Sequence, residues 1–170
     1  MRPWESPVWE GTLRGSPLRS SPDPGSVQLY MSPTSFDAMP LTIDTSAVLA
    51  VMLREPSRDR VVAETEETAL LAAPTLPWEV GNALSALFRR KRLDSRAAAE
   101  VLSVLERIPI RLADVDLQQS VALAEQHGIY AYDAYVLECA RRYRTPLLSL
   151  DAAQCAVART MGIDVIEVQP

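Results

Sequence analysis

The sequence predicts an α/β fold with a central parallel sheet and helices on both faces. Two observations carry this reading. From Met39 onward, short apolar runs alternate with longer segments whose apolar residues recur at the 3.6-residue period. The strand-like runs are short and apolar, as suits a parallel sheet covered on both sides. In such sheets ligands bind beyond the carboxyl ends of the strands, so that edge is where chemistry is expected.

The elements follow in order. Residues 41–44 (LTID) read as a buried strand, and 46–54 as a helix ended by Pro56. A charged amphipathic helix is expected over 57–68, then a strand over 69–73 before Pro74. Residues 76–92 read as a helix, with Val80, Leu84, Leu87 and Phe88 on one face. Asp94 caps a helix running to about 107, and 110–112 form a strand. Asp116 caps the next helix, which Gly128 ends after His127, a cation suited to a last turn. Residues 132–143 are helical, and 147–150 form a strand after Pro146. Asp151 opens a helix to Met161, stopped by Gly162, and 164–168 close with a strand.

The first 38 residues differ from the rest. They hold six of the 13 Pro, three of the six Gly and seven Ser, a mix too poor in apolar surface to offset the entropy of ordering. Residues 1–38 are therefore expected to be a disordered extension to a domain over 39–170. Met39 directly precedes the first patterned segment and is the expected natural start. Trp4 and Trp9 in the extension could form a small partner-binding motif, although such tails usually only solvate.

Composition excludes several classes. The net charge is −5 with 23% charged residues, which is not the balance of a polybasic binder. No apolar stretch is long enough to span a membrane. The two cysteines, Cys139 and Cys155, lie in apolar surroundings without a CxxC pattern. They read as buried thiols of a cytoplasmic, reducing compartment. Lys91 is the only lysine and His127 the only histidine, which excludes His-pair mechanisms.

Four acids fall at the carboxyl edge of the predicted sheet. Asp44 and Asp151 end the first and fourth strands. Glu79 and Asp133 lie in the first turns of their helices, and Asn82 shares the face of Glu79. Taken singly, each has an ordinary explanation, as an N-cap or as a first-turn acid favoured by the helix dipole. Together they would repel one another unless protonated or bound to cations. An all-oxygen set without Cys or His suits hard ions such as Mg²⁺ or Mn²⁺. Such ions commonly act on phosphate esters and let an acidic protein bind a polyanion.

With the segments IDTSAVLA, PTLPWEVGNAL, YDAYVLECA and PLLSLD in this order, the chain from Met39 onward resembles PIN-domain ribonucleases of the VapC toxin type. The resemblance implies a three-layer α/β/α fold and Mg²⁺- or Mn²⁺-dependent endonucleolytic hydrolysis of RNA, leaving 5′-phosphate and 3′-hydroxyl ends. It also implies a type II toxin–antitoxin system, with a cognate antitoxin protein and homodimers as partners. By position, Asp44, Glu79, Asp133 and Asp151 match the acidic quartet that holds the metal and carries catalysis. Ser46 and Asn82 match supporting positions. Ser149 stands where Thr is more usual, and Gln154 stands where an apolar residue is usual.

Other residues have weaker readings. Arg89, Arg90, Lys91 and Arg92 end the Glu79 helix; they either favour a helix C-terminus or contact RNA phosphates. Arg141, Arg142 and Arg144 pose the same choice. Tyr135 is expected to pack half into the core, while Tyr130 and Tyr132 either pack or stack on unpaired bases. Val48, Leu49, Met52, Val61 and Val62 belong either to the core or to a partner surface. The competing function is a catalytically silent PIN-like module that binds RNA or protein. A receiver-type phosphoacceptor is disfavoured because no second acid stands two residues after Asp44, and no phosphate-cradling glycine motif occurs.

Overall fold

The computed structural model describes residues 39–168. The expected extension over 1–38, with Trp4 and Trp9, lies outside the described residues. The elements run β1 (Leu41–Ile43), α1 (Thr45–Met52), α2 (Arg58–Thr65), β2 (Leu70–Ala72), α3 (Leu76–Arg89), α4 (Ser95–Leu105), β3 (Ile110–Leu112), α5 (Leu117–His127), α6 (Ala131–Tyr143), β4 (Leu147–Leu148) and α7 (Ala152–Thr160). The four strands pair in parallel in the order β3-β2-β1-β4.

Alternation along the strands builds the layers. Leu41 and Ile43 of β1, Leu70 and Ala72 of β2, and Leu148 of β4 enter one core, with Val48, Met52, Val61, Val80, Leu84 and Val101 from α1–α4. Leu71 and Leu147 point the other way, into a second core with Val136, Leu137, Cys139, Ala140 and Ala158 from α6 and α7. The result is the three-layer α/β/α arrangement expected from the sequence. Val48, Met52 and Val61 are thus core residues, and only Val62 of that group is exposed. Both cysteines are free and buried, and burial pushes both thiols up, so neither is primed for reaction.

Several expected boundaries differ: the strand expected over 147–150 stops at Leu148, so Asp151 lies three residues past it, and the helix expected over 46–54 runs from Thr45 to Met52. The closing strand over 164–168 contracts to a bridge between Leu147 and Val165. Beyond Leu148 the chain turns to bring Ser149 onto Asp44, which leaves little strand to pair. Helix α3 ends at Arg89 because Lys91 adopts a left-handed conformation (φ 54°), and the amide of Arg92 reaches back to the carbonyl of Leu87. Helix α2 stops at Thr65, whose hydroxyl turns onto the carbonyls of Val61 and Val62.

Among the described residues, Gln154 is the one buried side chain with an unpartnered polar atom. Its side chain is buried, and Oε1 has no hydrogen-bond partner. Because an unsatisfied buried acceptor costs about 1–3 kcal/mol, Gln154→Met is expected to raise stability by roughly 1 kcal/mol. A higher urea midpoint with an unchanged m-value would show it.

Candidate active site

The strand order places β1 at the centre, with α1–α4 on one side and α5–α7 on the other. Strands β2 and β3 are added on one side of β1 and β4 on the other, so the strand order reverses between β1 and β4, which is where a doubly wound sheet opens a crevice at its carboxyl edge. Asp44 follows β1 and Asp151 closely follows β4, so both stand at this crevice. Glu79 is in the first turn of α3, which leaves the same edge of β2. Helix α6 leads into β4 and runs antiparallel to it, so its first turn, with Asp133, returns to that edge.

Asp44 is 6% exposed. Its Oδ2 accepts from the backbone amide of Ser46 at 3.0 Å, from Ser46 Oγ at 2.5 Å and from Ser149 Oγ at 3.2 Å. The two hydroxyls donate to it, because an ionised carboxylate oxygen can only accept. Ser46 Oγ accepts from the amide of Leu150 at 2.9 Å, and Ser149 Oγ accepts from the amide of Asp151 at 3.0 Å. One carboxylate oxygen is thereby pinned across the β1–β4 junction, and Oδ1 remains for another partner. Ser46→Ala would strand the amide of Leu150 and remove a donor from Asp44. It is expected to cost about 1–3 kcal/mol, visible as a lower Tm, with Ser46→Thr losing less.

Glu79 is held by two threonines that the sequence reading overlooked. Thr75 donates to Oε1 at 2.6 Å and Thr45 donates to Oε2 at 3.1 Å. Thr75 occupies the N-cap position of α3 without capping it, because its hydroxyl is turned to Glu79 instead. An ordinary N-cap and a carboxylate clamp look alike in sequence; a Thr four residues before an acid was the available signal. Asp151 caps α7, its Oδ1 accepting from the amides of Ala153 and Gln154 at 2.8 and 3.0 Å. Its Oδ2 carries no such bond. Asp133 makes no side-chain hydrogen bond within the described residues.

The acids sense each other. Burial raises the carboxyl of Glu79 most, the hydroxyls of Thr75 and Thr45 lower it, and the charges of Asp44 and Asp133 raise it further. Burial also raises Asp133, and the charges of Asp151 and Asp44 add to this. The salt bridges among the described residues all lie on other acids: Asp59, Glu100, Glu138 and Glu167. Among the described residues the quartet thus has no cationic side chain to relieve it. The side chains do not form a closed cage either, since no three acidic, His or Cys groups among the described residues come together at metal-ligand range. Repulsion of this kind keeps carboxylates apart until a cation draws them together. The donor set itself fits a hard divalent ion: all oxygens, with Oδ1 of Asp44, Oδ2 of Asp151 and both oxygens of Asp133 uncommitted.

Asn82, expected to support Glu79, does not bond to it; it is exposed and lines a cleft of about 490 Å³ with Thr45, Trp78, Glu79, Ala83 and Tyr132. Tyr130 and Tyr132 are exposed, and Tyr135 packs partly into the second core as expected. Arg89, Arg90, Lys91 and Arg92 are exposed at the far end of α3. Ten residues of helix put Arg89 about 15 Å along the axis from Glu79, so the basic run does not reach the acids.

Comparison with known proteins agrees with this architecture. No curated protein matches the chain. Similar solved structures include PAE2754 from Pyrobaculum aerophilum, with 22% identity, a TM-score of 0.60, and coverage of 75% of this chain and 83% of that one. FitAcB from Neisseria gonorrhoeae is similar at 20% identity and a TM-score of 0.54, covering 75% of this chain and 96% of that one. Both likenesses are of fold. The family model of the PIN domain matches residues 41–160, from the first residue of β1 to the last of α7 and across all four acids, and the chain belongs to the PIN domain family.

Proposed function

We propose that the protein is a Mg²⁺- or Mn²⁺-dependent endoribonuclease, the toxin of a VapC-type toxin–antitoxin pair, with RNA as substrate and a cognate antitoxin as partner. PIN domains are in general metal-dependent nucleases. The observation that carries the reading is the convergence of Asp44, Glu79, Asp133 and Asp151 on one crevice with no cationic side chain among them. These four carboxylates would hold a divalent cation, which would supply charge neutralisation at a phosphodiester and a lowered pKa of water.

The chain's own residues prepare that chemistry. Ser46 and Ser149 fix Oδ2 of Asp44, so that the carboxylate has little entropy left to lose and Oδ1 is left without a hydrogen bond among the described residues. Thr75 and Thr45 donate to Glu79 and favour its ionised form, against the burial that raises its carboxyl most. Asp151 is oriented by the amides of α7, while Asp133 keeps both oxygens available. No side-chain nucleophile is needed for hydrolysis, since water can serve.

The test is to incubate the full chain, free of any co-expressed partner, with total RNA and purified tRNA. Each is assayed with Mg²⁺, Mn²⁺ and EDTA. Discrete fragments with 5′-phosphate ends that need the metal support the reading. A chain inert on every RNA and with every metal supports the silent binding module instead.

A further inference from the structure

The buried amide of Gln154 is at odds with its surroundings unless it has a task. Gln154 is 3% exposed, its Oε1 has no partner, and its Nε2 makes no hydrogen bond among the described residues. A methionine of the same length would fill the space without stranding a polar atom. Local rules of this kind are broken mainly where function needs it.

The packing of α6 beside α7 places that amide. Both helices start at the carboxyl edge of the sheet: α7 leaves β4 there, and α6 has its first turn there before leading back into β4. They therefore run parallel to each other. On α6, Asp133, Leu137 and Ala140 follow at i, i+4 and i+7 and share a face; on α7 and its C-cap, Gln154, Ala158 and Met161 do the same. The later members of the two stripes lie together. Ala140 and Met161 line one cavity at the C-terminal ends of both helices, and Leu137 and Ala158 are fully buried in the second core. Two turns back toward the crevice, about 10 Å along each helix, stand Asp133 and Gln154, at one level. Asp151 links them. Its Oδ1 accepts from the backbone amide of Gln154, and after burial its charge is the strongest influence on Asp133.

The needs of the two side chains match across this junction. Asp133 has two unpartnered carboxylate oxygens, and a glutamine amide carries two donors on Nε2. Rotation of the amide about its last bond exchanges Oε1 and Nε2, so the buried end can present the donor. We propose that Gln154 is a positioning residue for Asp133: in the cation-bound centre its Nε2–H donates to one oxygen of Asp133 and leaves the other oxygen for the cation. The inference rests on the metal-dependent reading of the site. The unpartnered amide of the cation-free chain is then the waiting half of that bond, and an apolar side chain at 154 cannot make it.

Metal affinity and stability separate this role from packing. Gln154→Met keeps the volume and removes the amide. In EDTA the full-length variant is expected to have a higher Tm than wild type, yet to bind Mn²⁺ about tenfold more weakly by calorimetry, the scale typical for loss of a group that orients a metal ligand. A purely structural glutamine would leave Mn²⁺ affinity unchanged. In NMR spectra of the ¹⁵N-labelled wild type, the side-chain NH₂ signal of Gln154 is expected to move downfield and to resist solvent exchange as Mg²⁺ saturates the chain. Equal Mn²⁺ affinity of wild type and Gln154→Met, or a Gln154 NH₂ signal that Mg²⁺ leaves unmoved, overturns the proposal while the metal centre stands. Wild type that binds neither ion overturns the centre and this role together. Weaker Mn²⁺ binding by the variant, in a chain whose wild type binds Mn²⁺ but cleaves no RNA, upholds the positioning role and removes the nuclease reading alone.

Discussion

Asp44→Asn is expected to lower metal-dependent RNA cleavage by roughly a thousandfold or more, equivalent to about 4 kcal/mol of lost transition-state stabilisation. The substitution isolates the charge. Asparagine is as good an N-cap as aspartate, so α1 should still start at Thr45, and its side-chain oxygen can still accept from Ser46 and Ser149. What disappears is the second anionic oxygen, in the most buried member of the quartet. Glu79→Gln and Asp133→Asn are expected to lose less. Asp151→Asn should lose least, because Asp151 is exposed and its charge is felt only by Asp133 among the raised acids. Single-turnover rates on one defined RNA would rank the four. Four equal losses, or none, would contradict a centre organised around Asp44.

The second large effect is on stability, and it reverses sign with cation. Burial and neighbouring charge raise Glu79 and Asp133 above the ordinary carboxylate range in the folded chain. A raised acid favours the folded state at low pH, where it carries its proton, and that contribution is lost as pH rises through the raised value. Without divalent cation, Tm is therefore expected to fall as these two acids ionise. A cation binds the ionised set, so its stabilisation grows over the same pH window. At about a hundredfold excess over its Kd the gain is ~2.7 kcal/mol, or roughly 5–10 °C in Tm for a chain of this size. Asp133→Asn should behave oppositely, with a higher Tm than wild type in EDTA at neutral pH and little further rise with Mn²⁺. Thermal scans at several pH values, with Mn²⁺ and with EDTA, check all of this.

The layers of the fold were legible because period and polarity agree at every element. The apolar strand triplets LTI and LLA, and the caps Asp94, Asp116 and Gly128, each specify one local structure. The closing strand was less so, since the apolar alternation of 164–168 says nothing of how short β4 would be. The four acids were legible by the same logic, because strand ends and first helical turns of a parallel sheet share an edge. The second layer of the site was not. No sequence pattern singles out Thr45 and Thr75, because their turn toward Glu79 depends on how α1 and α3 meet in space. The helical pattern around Trp78 assigns it no role. Only the packed structure leaves it outside the core. Asn82 shows the converse: its spacing puts it near Glu79, yet spacing alone does not make a hydrogen bond.

The measurement that bears most directly on the four-carboxylate centre is a Mn²⁺ titration of the full chain, by calorimetry or by the EPR signal of free Mn²⁺. It should be run beside Asp44→Asn and Asp133→Asn. Saturable binding by wild type at neutral pH is predicted. It should weaken as pH falls through the raised carboxylates and be lost or much reduced in both variants. Wild type that binds no Mn²⁺ while folded, or variants that bind it equally well, would contradict the centre.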